Sequence, residues 1–239
     1  MNEKINQLQS YIDECNNIVI FTGAGASTES GIKDFRSKDG LYNQKYKYPP
    51  EFILSHTFFI NNTEDFYEFY KEKMDCRKAK PNIVHKYFKK LENKNKLKMI
   101  ITQNIDNLHT LAGNKKVVEL HGNITRNYCM KCNKFYSEKA IFNSKDIPTC
   151  KCGGIIKPDV VLYEESLNEN DINLTIKSIE EADLLIIAGT SLSVYPASNF
   201  VHFFKGKYLV IINNDITPLD KTANLVINDK LGNVFSKLK

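Results

Sequence analysis

Short apolar runs recur along the chain at strand length. They are Asn17–Thr22 (NIVIFT), Lys98–Thr102, Val117–Leu120, Asp183–Ala188, Tyr208–Ile212 and Leu225–Ile227. Their continuous Val, Ile and Leu content predicts strands buried on both faces, as in a parallel sheet. A different period lies between them. Ile5, Leu8, Ile12 and Cys15 fall on one face of a helix, and helical patterns recur over Phe66–Met74, Asn82–Leu91 and Ile172–Glu181. Strands alternating with helices predict an α/β fold with a parallel sheet and helices on both of its faces.

Two stretches break this alternation. Residues 34–80 are rich in aromatics and carry adjacent prolines at 49 and 50, and residues 125–158 hold four of the six cysteines. Both read as insertions that build a second, smaller domain. The expected division gives residues 1–33, 81–124 and 159–239 to the sheet domain, and residues 34–80 and 125–158 to the small one. No internal repeat or low-complexity segment is present.

Composition narrows the classes. The chain has 239 residues, 42% hydrophobic and 26% charged, which suits a globular protein and excludes disordered or fibrous classes. No apolar run approaches the roughly 20 residues of a membrane span. The polar start MNEKINQLQS lacks the apolar stretch of a signal peptide, so a cytoplasmic location without membrane attachment is expected. The 33 basic and 28 acidic residues give a net charge of +5 without a dense basic stripe, which argues against nucleic-acid binding. Only three of the basic residues are arginines, Arg36, Arg77 and Arg126, and each merits inspection because Arg and Lys differ at carboxylate and phosphate sites.

The chemistry-bearing motifs follow strand ends. Gly23-Ala24-Gly25 closes the first strand, and such a turn lets the backbone approach a phosphate, with Ser27 and Thr28 available to bind it or to cap a following helix. The full dinucleotide fingerprint is not met, because its third glycine position holds Thr28. Asp34-Phe35-Arg36 follows. Gln103, Asn104 and Asp106 close the second strand with groups suited to ribose and carboxamide, although Asn104 or Asp106 could equally cap a helix. His121 ends the third strand and is a natural general base near neutral pH. Gly189-Thr190-Ser191 and Asn213 close two later strands.

Cys129, Cys132, Cys150 and Cys152 form two close pairs separated by a short span. Four thiolates at such spacing suit tetrahedral Zn(II) and leave no open coordination position, so a structural site is expected.

Taken in order, GAGASTESGIKDFRS (23–37), TQNIDNLH (102–109), ELHG (119–122), the four cysteines, KPDVVLYEE (157–165), GTSLSVYPA (189–197) and Asn213 resemble the sirtuins, the NAD-dependent protein lysine deacylases. The resemblance spans about residues 5 to 235, and bacterial protein deacetylases of the family look most similar. It implies a Rossmann-like domain and a small zinc-ribbon and helical domain, with NAD between them and an acyl-lysine protein or peptide entering opposite. It implies that the acyl oxygen attacks the nicotinamide ribose carbon, that nicotinamide leaves an alkylamidate behind, and that a ribose hydroxyl activated by His121 then takes over the acyl group. The products would be free lysine, nicotinamide and O-acetyl-ADP-ribose.

The resemblance also assigns positions. Ala24 and Thr28 would meet the phosphates or a ribose, Arg36 the charged part of the cofactor, and Phe35 would shield the reactive carbon. Gln103 and Asn104 would orient the ribose, and Ile105 and Asp106 would line the nicotinamide pocket. Thr190, Ser191, Asn213 and the backbone near Leu231 would hold the adenosine half. Val160, Val161, Leu162 and Tyr163, with Val194, would pair with the substrate backbone.

Three positions depart from the family pattern. Lys33 stands where proline is usual, Asn107 where glycine is common, and Tyr163-Glu164 where Phe-Gly is usual. The Tyr-x-x-Arg pair of members that prefer acidic acyl groups is matched here only by Tyr67, Tyr70 and Lys73, which favours acetyl over succinyl. A monomer is expected. The competing readings are a protein ADP-ribosyltransferase using the same cleft and a zinc-ribbon binding module without catalysis.

Overall fold

The computed structural model describes residues 2–35 and 40–239. Among the described residues, nine strands run in chain order: β1 (Ile18–Thr22), β2 (Leu97–Thr102), β3 (Val117–Glu119), β4 (Gly122–Cys129), β5 (Phe135–Ser137), β6 (Ile156–Val160), β7 (Leu184–Ala188), β8 (Tyr208–Ile212) and β9 (Leu225–Ile227). Six of them form one sheet in the order β3-β2-β1-β7-β8-β9, and every pairing is parallel.

Each apolar run of the sequence supplies one of these six strands. Alternate residues serve opposite faces. Ile18, Ile20, Ile100, Leu184, Ile186, Val210 and Ile212 join one core with α1 (Asn2–Glu14), which contributes Ile5, Leu8 and Ile12. Val19, Phe21, Ile101, Leu185, Ile187 and Ile211 join the other. Both faces are therefore covered, which is why these strands read as continuous hydrophobic runs rather than alternating ones.

A second body of structure is built from the two insertions. Helices α2 (Pro50–Ile53), α3 (His56–Asn61) and α4 (Thr63–Lys73) pack against an antiparallel sheet in the order β5-β4-β6. Its core is aromatic, with Phe58, Phe59, Phe66, Tyr67 and Tyr70 almost fully enclosed. The Tyr67 hydroxyl donates to the Ile156 carbonyl at 2.6 Å, which ties α4 to β6. Tyr67 and Tyr70 are core residues of this body, and Lys73 pairs with Glu72.

The remaining helices are α5 (Ile83–Asn93), α6 (Leu108–Leu111), α7 (Lys139–Phe142), α8 (Glu169–Glu180) and α9 (Leu231–Phe235). Asn82 caps α5 by accepting from Val84 N–H at 2.9 Å, and its own N–H is met by His85. Among the described residues, no helix is long and apolar enough to cross a membrane.

Candidate active site

The last residues of all six parallel strands stand in one row. Glu119 pairs with Thr102, Thr102 with Thr22, Thr22 with Ala188, Ala188 with Ile212, and Ile212 with Ile227. Every polar turn singled out in the sequence therefore leaves the sheet along the same edge. The chain order reverses between β1 and β7, so a crevice opens where their turns splay, the usual ligand position in such sheets.

At that crevice the turns after β1 and β7 meet backbone to backbone. Gly25 N–H donates to the Gly189 carbonyl at 2.9 Å. A side-chain carbon on Gly25 would fall 2.7 Å from Gly189 Cα, and one on Gly189 would fall 2.7 Å from Ala26 N. Gly189 also has a φ of +65°. Such a cradle, free of side chains, lets a pyrophosphate reach main-chain N–H groups, and it fits the NAD implied by the motifs. The helix that Ser27 or Thr28 could have capped is not α-helical here; two 3₁₀ turns, Ala24–Ala26 and Thr28–Ser30, stand in its place. Thr28 is exposed, and its hydroxyl donates to the Gly25 carbonyl instead of capping a helix.

Ser27 turns inward. Its hydroxyl donates to Asp106 Oδ2 at 2.6 Å and accepts from Asn104 Nδ2 at 3.1 Å, with His85 Nε2 3.5 Å away. Asp106 Oδ1 accepts from Leu108 N–H at 2.9 Å, so this carboxylate also holds the first N–H of α6. Burial pushes the Asp106 carboxyl up, against the opposing pull of Ser27 and the Leu108 N–H. Gln103 Nε2 donates to Thr190 Oγ1 at 3.1 Å, which links the turns after β2 and β7.

His121 sits just past β3, with Nδ1 2.9 Å from the Gln103 carbonyl oxygen. A carbonyl can only accept, so Nδ1 carries the proton and Nε2 keeps its lone pair. Burial pushes the imidazole pKa down, partly offset by the Gln103 carbonyl, and the ring is neutral at pH 7. The geometry thus presents a base at Nε2 in a defined tautomer.

Past β6, the chain from Val161 to Tyr163 runs extended beside His121. Val161 N–H donates to the His121 carbonyl at 3.0 Å, Leu162 N–H to Glu165 Oε2 at 2.9 Å, and Tyr163 N–H to the Leu54 carbonyl at 2.9 Å. The Tyr163 carbonyl accepts from His56 N–H at 2.9 Å. Val160 and Leu162 are buried, whereas Tyr163 is partly exposed and its hydroxyl lies 2.5 Å from that of Tyr42. Phe35 packs its ring on Tyr42, centroid to centroid 5.3 Å. Ile105 accepts from Ile124 N–H at 3.0 Å. Asn213 Nδ2 donates to the Asp215 carbonyl at 2.8 Å, and buried Leu231 opens α9. Ser191 and Val194 lie in the partly exposed segment after Thr190. Arg36 lies outside the described residues.

The four cysteines of the second motif converge. One sulfur from each of Cys129, Cys132, Cys150 and Cys152 lies within 4.8 Å of the others. Asn133 and Gly153, at φ +55° and +80°, make the turns that bring each pair together. Lys131 N–H points at Cys129 Sγ at 3.4 Å, and Tyr136 OH at Cys150 Sγ at 3.0 Å. A closed set of four sulfurs fits tetrahedral Zn(II).

Residues 23–196 match the model of the Sir2 family. That span runs from the first glycine of the β1 turn to the segment after β7 and includes His121 and all four cysteines. The chain belongs to the Sir2 family.

Its similarity to individual Sir2 proteins extends over nearly the full length. An NAD-dependent protein deacetylase of Clostridium tetani is 56% identical over 232 residues, covering 95% of this chain and 94% of that protein. The corresponding deacetylase of Clostridium acetobutylicum is 55% identical, with 98% and 97% covered. Among solved structures, a Sir2 enzyme with a p53 peptide and NAD+ superposes with a TM-score of 0.88 at 37% identity, covering 98% of this chain and 96% of that one. Sir2Tm bound to a propionylated peptide gives 0.87 at 36% identity, with the same coverage.

Two departures from the Sir2 pattern now have a geometry. Asn107 and Glu164 stand where glycine is common, and both keep a left-handed backbone, at φ +65° and +74°. Asn tolerates that region, and Glu164 holds it while its carboxylate accepts from Thr57 N–H at 2.9 Å.

His85 and His109 were not singled out in the sequence, yet both are fully enclosed behind the Ser27–Asp106 pair. Their rings lie 4.8 Å apart, and His109 Nε2 is 3.2 Å from Thr22 Oγ1. The available signal for His85 was its place three residues after Asn82 at a helix start.

Proposed function

We propose that this Sir2-family chain is an NAD-dependent protein lysine deacetylase that yields nicotinamide, O-acetyl-ADP-ribose and free lysine, with His121 as general base. The observation that carries the reading is the His121–Gln103 hydrogen bond, which fixes the base at Nε2 on the strand-end row that also carries the glycine cradle. NAD, when bound, supplies the ribose carbon that accepts the acyl oxygen as nicotinamide leaves, and the hydroxyl that then takes over the acyl group.

The chain's own residues do the rest. Main-chain groups at Ala24 and Gly25 and the Thr28 side chain bind the pyrophosphate region, with Arg36 and Phe35 over the reactive half. Gln103 and Asn104 orient the ribose. Ile105 and Asp106 receive the carboxamide, since a carboxylate held by Ser27 and Leu108 is already aimed and needs no reorganisation. Thr190, Ser191, Asn213 and Leu231 hold the adenosine half. His121 takes the hydroxyl proton at Nε2. Val160–Tyr163 and Val194 flank the acyl-lysine peptide. In the first of these segments the N–H groups from Val161 to Tyr163 are already engaged, and the Val160, Leu162 and Tyr163 carbonyls accept from Lys157 Nζ, Glu165 N–H and His56 N–H, so pairing there draws on the Val161 carbonyl and on Glu164.

Two further assignments belong to this reading. The chain divides into the sheet domain of 1–33, 81–124 and 159–239 and the small domain of 34–80 and 125–158, with NAD between them and zinc at the four cysteines. The acyl group is acetyl or another uncharged one, a reading supported by the burial of Tyr67 and Tyr70 and by the pairing of Lys73 with Glu72.

The test is mass spectrometry of an acetyl-lysine peptide incubated with the protein, with and without NAD, beside His121→Ala. Deacetylation and O-acetyl-ADP-ribose should both require NAD and both vanish in the variant. NAD cleavage with the peptide left acetylated would overturn the reading in favour of ADP-ribose transfer.

A further inference from the structure

Arg126 lies on β4, away from the NAD crevice, yet its guanidinium joins two segments of the site. Nη1 donates to Glu119 Oε2 at 2.7 Å, and Nε donates to Asp159 Oδ2 at 2.7 Å. Glu119 ends β3 two residues before His121, and Asp159 directly precedes Val160 at the start of the peptide-facing run. Glu119 is itself fixed from its other oxygen, because Asn123 Nδ2 donates to Oε1 at 2.5 Å and also reaches Asn107 Oδ1 at 3.0 Å. Asn107 follows Asp106. One guanidinium and one amide thus connect the nicotinamide-side turn, the base-bearing strand end and the peptide-side strand.

The backbone under this clamp has no slack. Gly122, directly after His121, has a φ of +77°, and a side-chain carbon there would fall 1.9 Å from the Asp159 carbonyl oxygen. It pairs with Val160 across the strands. The main chains of the two segments therefore touch at Gly122 and Asp159, and Arg126 closes the same junction from the side-chain side. The pairing between β4 and β6 is irregular from Gly122 to Asn127, so ladder bonds do not hold the strands evenly here. A planar fork that meets two carboxylates at fixed angles supplies the missing constraint, and a lysine ammonium cannot reproduce it.

We infer that Arg126 is a positioning residue that sets the register between the His121 strand end and the acyl-peptide strand at Val160–Tyr163. This inference rests on the deacetylase reading, and it concerns the junction of the His121 strand end with the peptide side, because Arg126 itself reaches only Glu119 and Asp159 and the Asn107 turn is held through Asn123. The clamp touches neither the Gly25–Gly189 cradle nor the Thr190 turn. Its loss should therefore weaken use of the peptide and spare use of NAD.

The test is steady-state kinetics of Arg126→Met, Arg126→Lys and Asp159→Asn with an acetyl-lysine peptide, varying peptide and NAD separately, with thermal unfolding of each variant in parallel. Arg126→Met should raise the peptide KM about tenfold, the size expected for loss of a well-formed charged hydrogen-bond pair, and leave the NAD KM within about twofold. Arg126→Lys should recover part of the loss. Asp159→Asn, which keeps the local shape, should reproduce the split, and the double variant with Arg126→Met should be little worse than the worse single one. A peptide KM that stays at the wild-type level, or equal rises in both KM values, would overturn the inference. Absence of deacetylation in the wild-type protein would instead refute the function on which it rests.

Discussion

The Ser27 hydroxyl donates to Asp106 Oδ2 at 2.6 Å, inside the protein, where both side chains are almost closed to solvent. Asn104 Nδ2 donates to the same hydroxyl, so its proton is directed at Asp106. The carboxylate is aimed in advance by groups that cannot easily turn away. Preorganisation of this kind trades stability for function, because an ionised carboxylate is held away from water.

That trade gives a signed pH dependence. Burial raises the Asp106 carboxyl above its ordinary value of 3.8. Between the unfolded and folded values the native state binds more protons, so stability falls as pH rises through that window and the penalty persists above it. Asp106→Asn removes the penalty. Its melting temperature relative to wild type should rise between about pH 4 and pH 7, while deacetylation falls by more than about tenfold. A stability difference from wild type that is no larger at neutral than at acid pH would refute the argument.

The two enclosed histidines act in the opposite direction. Burial pushes His85 down to about 4 and His109 well below its ordinary value. Each binds a proton in the unfolded chain near pH 6.5 but not in the native one, so stability is present above that value and is lost as pH falls through it. For His85 the linkage amounts to about 3 kcal/mol by pH 4. Urea midpoints should fall between pH 7 and pH 5, and His85→Gln should flatten that slope even if it lowers the midpoint at pH 7.

These relationships mark how much of the site was legible in the sequence. The six parallel strands could be read because each is a run of apolar residues buried on both faces, and their polar ends could be read as turns. That those ends share one row follows from parallel pairing alone. His121 was legible as a candidate base at a strand end, but its tautomer was not, since the partner is a backbone carbonyl on the turn after a neighbouring strand. Ser27 read as a helix cap or phosphate ligand because the glycine turn suggested a helix. The close contact of Gly25 with Gly189, residues 164 positions apart, leaves 3₁₀ turns there instead, and Ser27 turns inward. Arg126 stood out only as one of three arginines; its carboxylate partners are seven and 33 residues away.

The glycine cradle should tolerate no side chain. Gly189→Ala places a carbon 2.7 Å from the Gly25 backbone at a φ of +65°. Overpacking and the left-handed backbone together should cost about 2–4 kcal/mol. Denaturant unfolding should show that loss, and the NAD KM should rise more than the peptide KM, the reverse of the pattern expected at Arg126.

Stripping zinc should release the small antiparallel sheet before the parallel one. Four sulfurs within 4.8 Å cannot stay together as ionised thiolates without a cation. Structural zinc contributes on the order of 10 kcal/mol to small domains that close around it. Cys132→Ser should lower metal content, and hydrogen exchange should accelerate in β4, β5 and β6 while β1, β7 and β8 stay protected. Uniform loss of protection across both sheets would show that the parallel sheet depends on the metal as well.

Glu164 separates two contributions at one residue. Its backbone sits at φ +74°, which disfavours any side chain, while its carboxylate accepts from Thr57 N–H at the start of α3 and is held below the usual carboxylate range by the Thr57 hydroxyl first and by that N–H second. Glu164→Ala loses the carboxylate and keeps the unfavourable backbone. Glu164→Gly loses the carboxylate and relieves the backbone. The difference between these two variants isolates the backbone term, and Gly should be the more stable by about 1 kcal/mol in denaturant unfolding. Glu164→Gln keeps an oxygen for Thr57 and removes the charge, so its comparison with wild type reports the charge alone. Carboxylate stabilisation is present above the ordinary value of 4.5 and is lost as pH falls through the lowered one. The gap between wild type and Glu164→Gln should therefore close in acid, while the gap between Glu164→Ala and Glu164→Gly should not change with pH. If instead the Ala and Gly variants unfold together, the left-handed backbone at 164 carries no cost, and the glycine common there in the Sir2 family would need another reason, such as room for the peptide backbone.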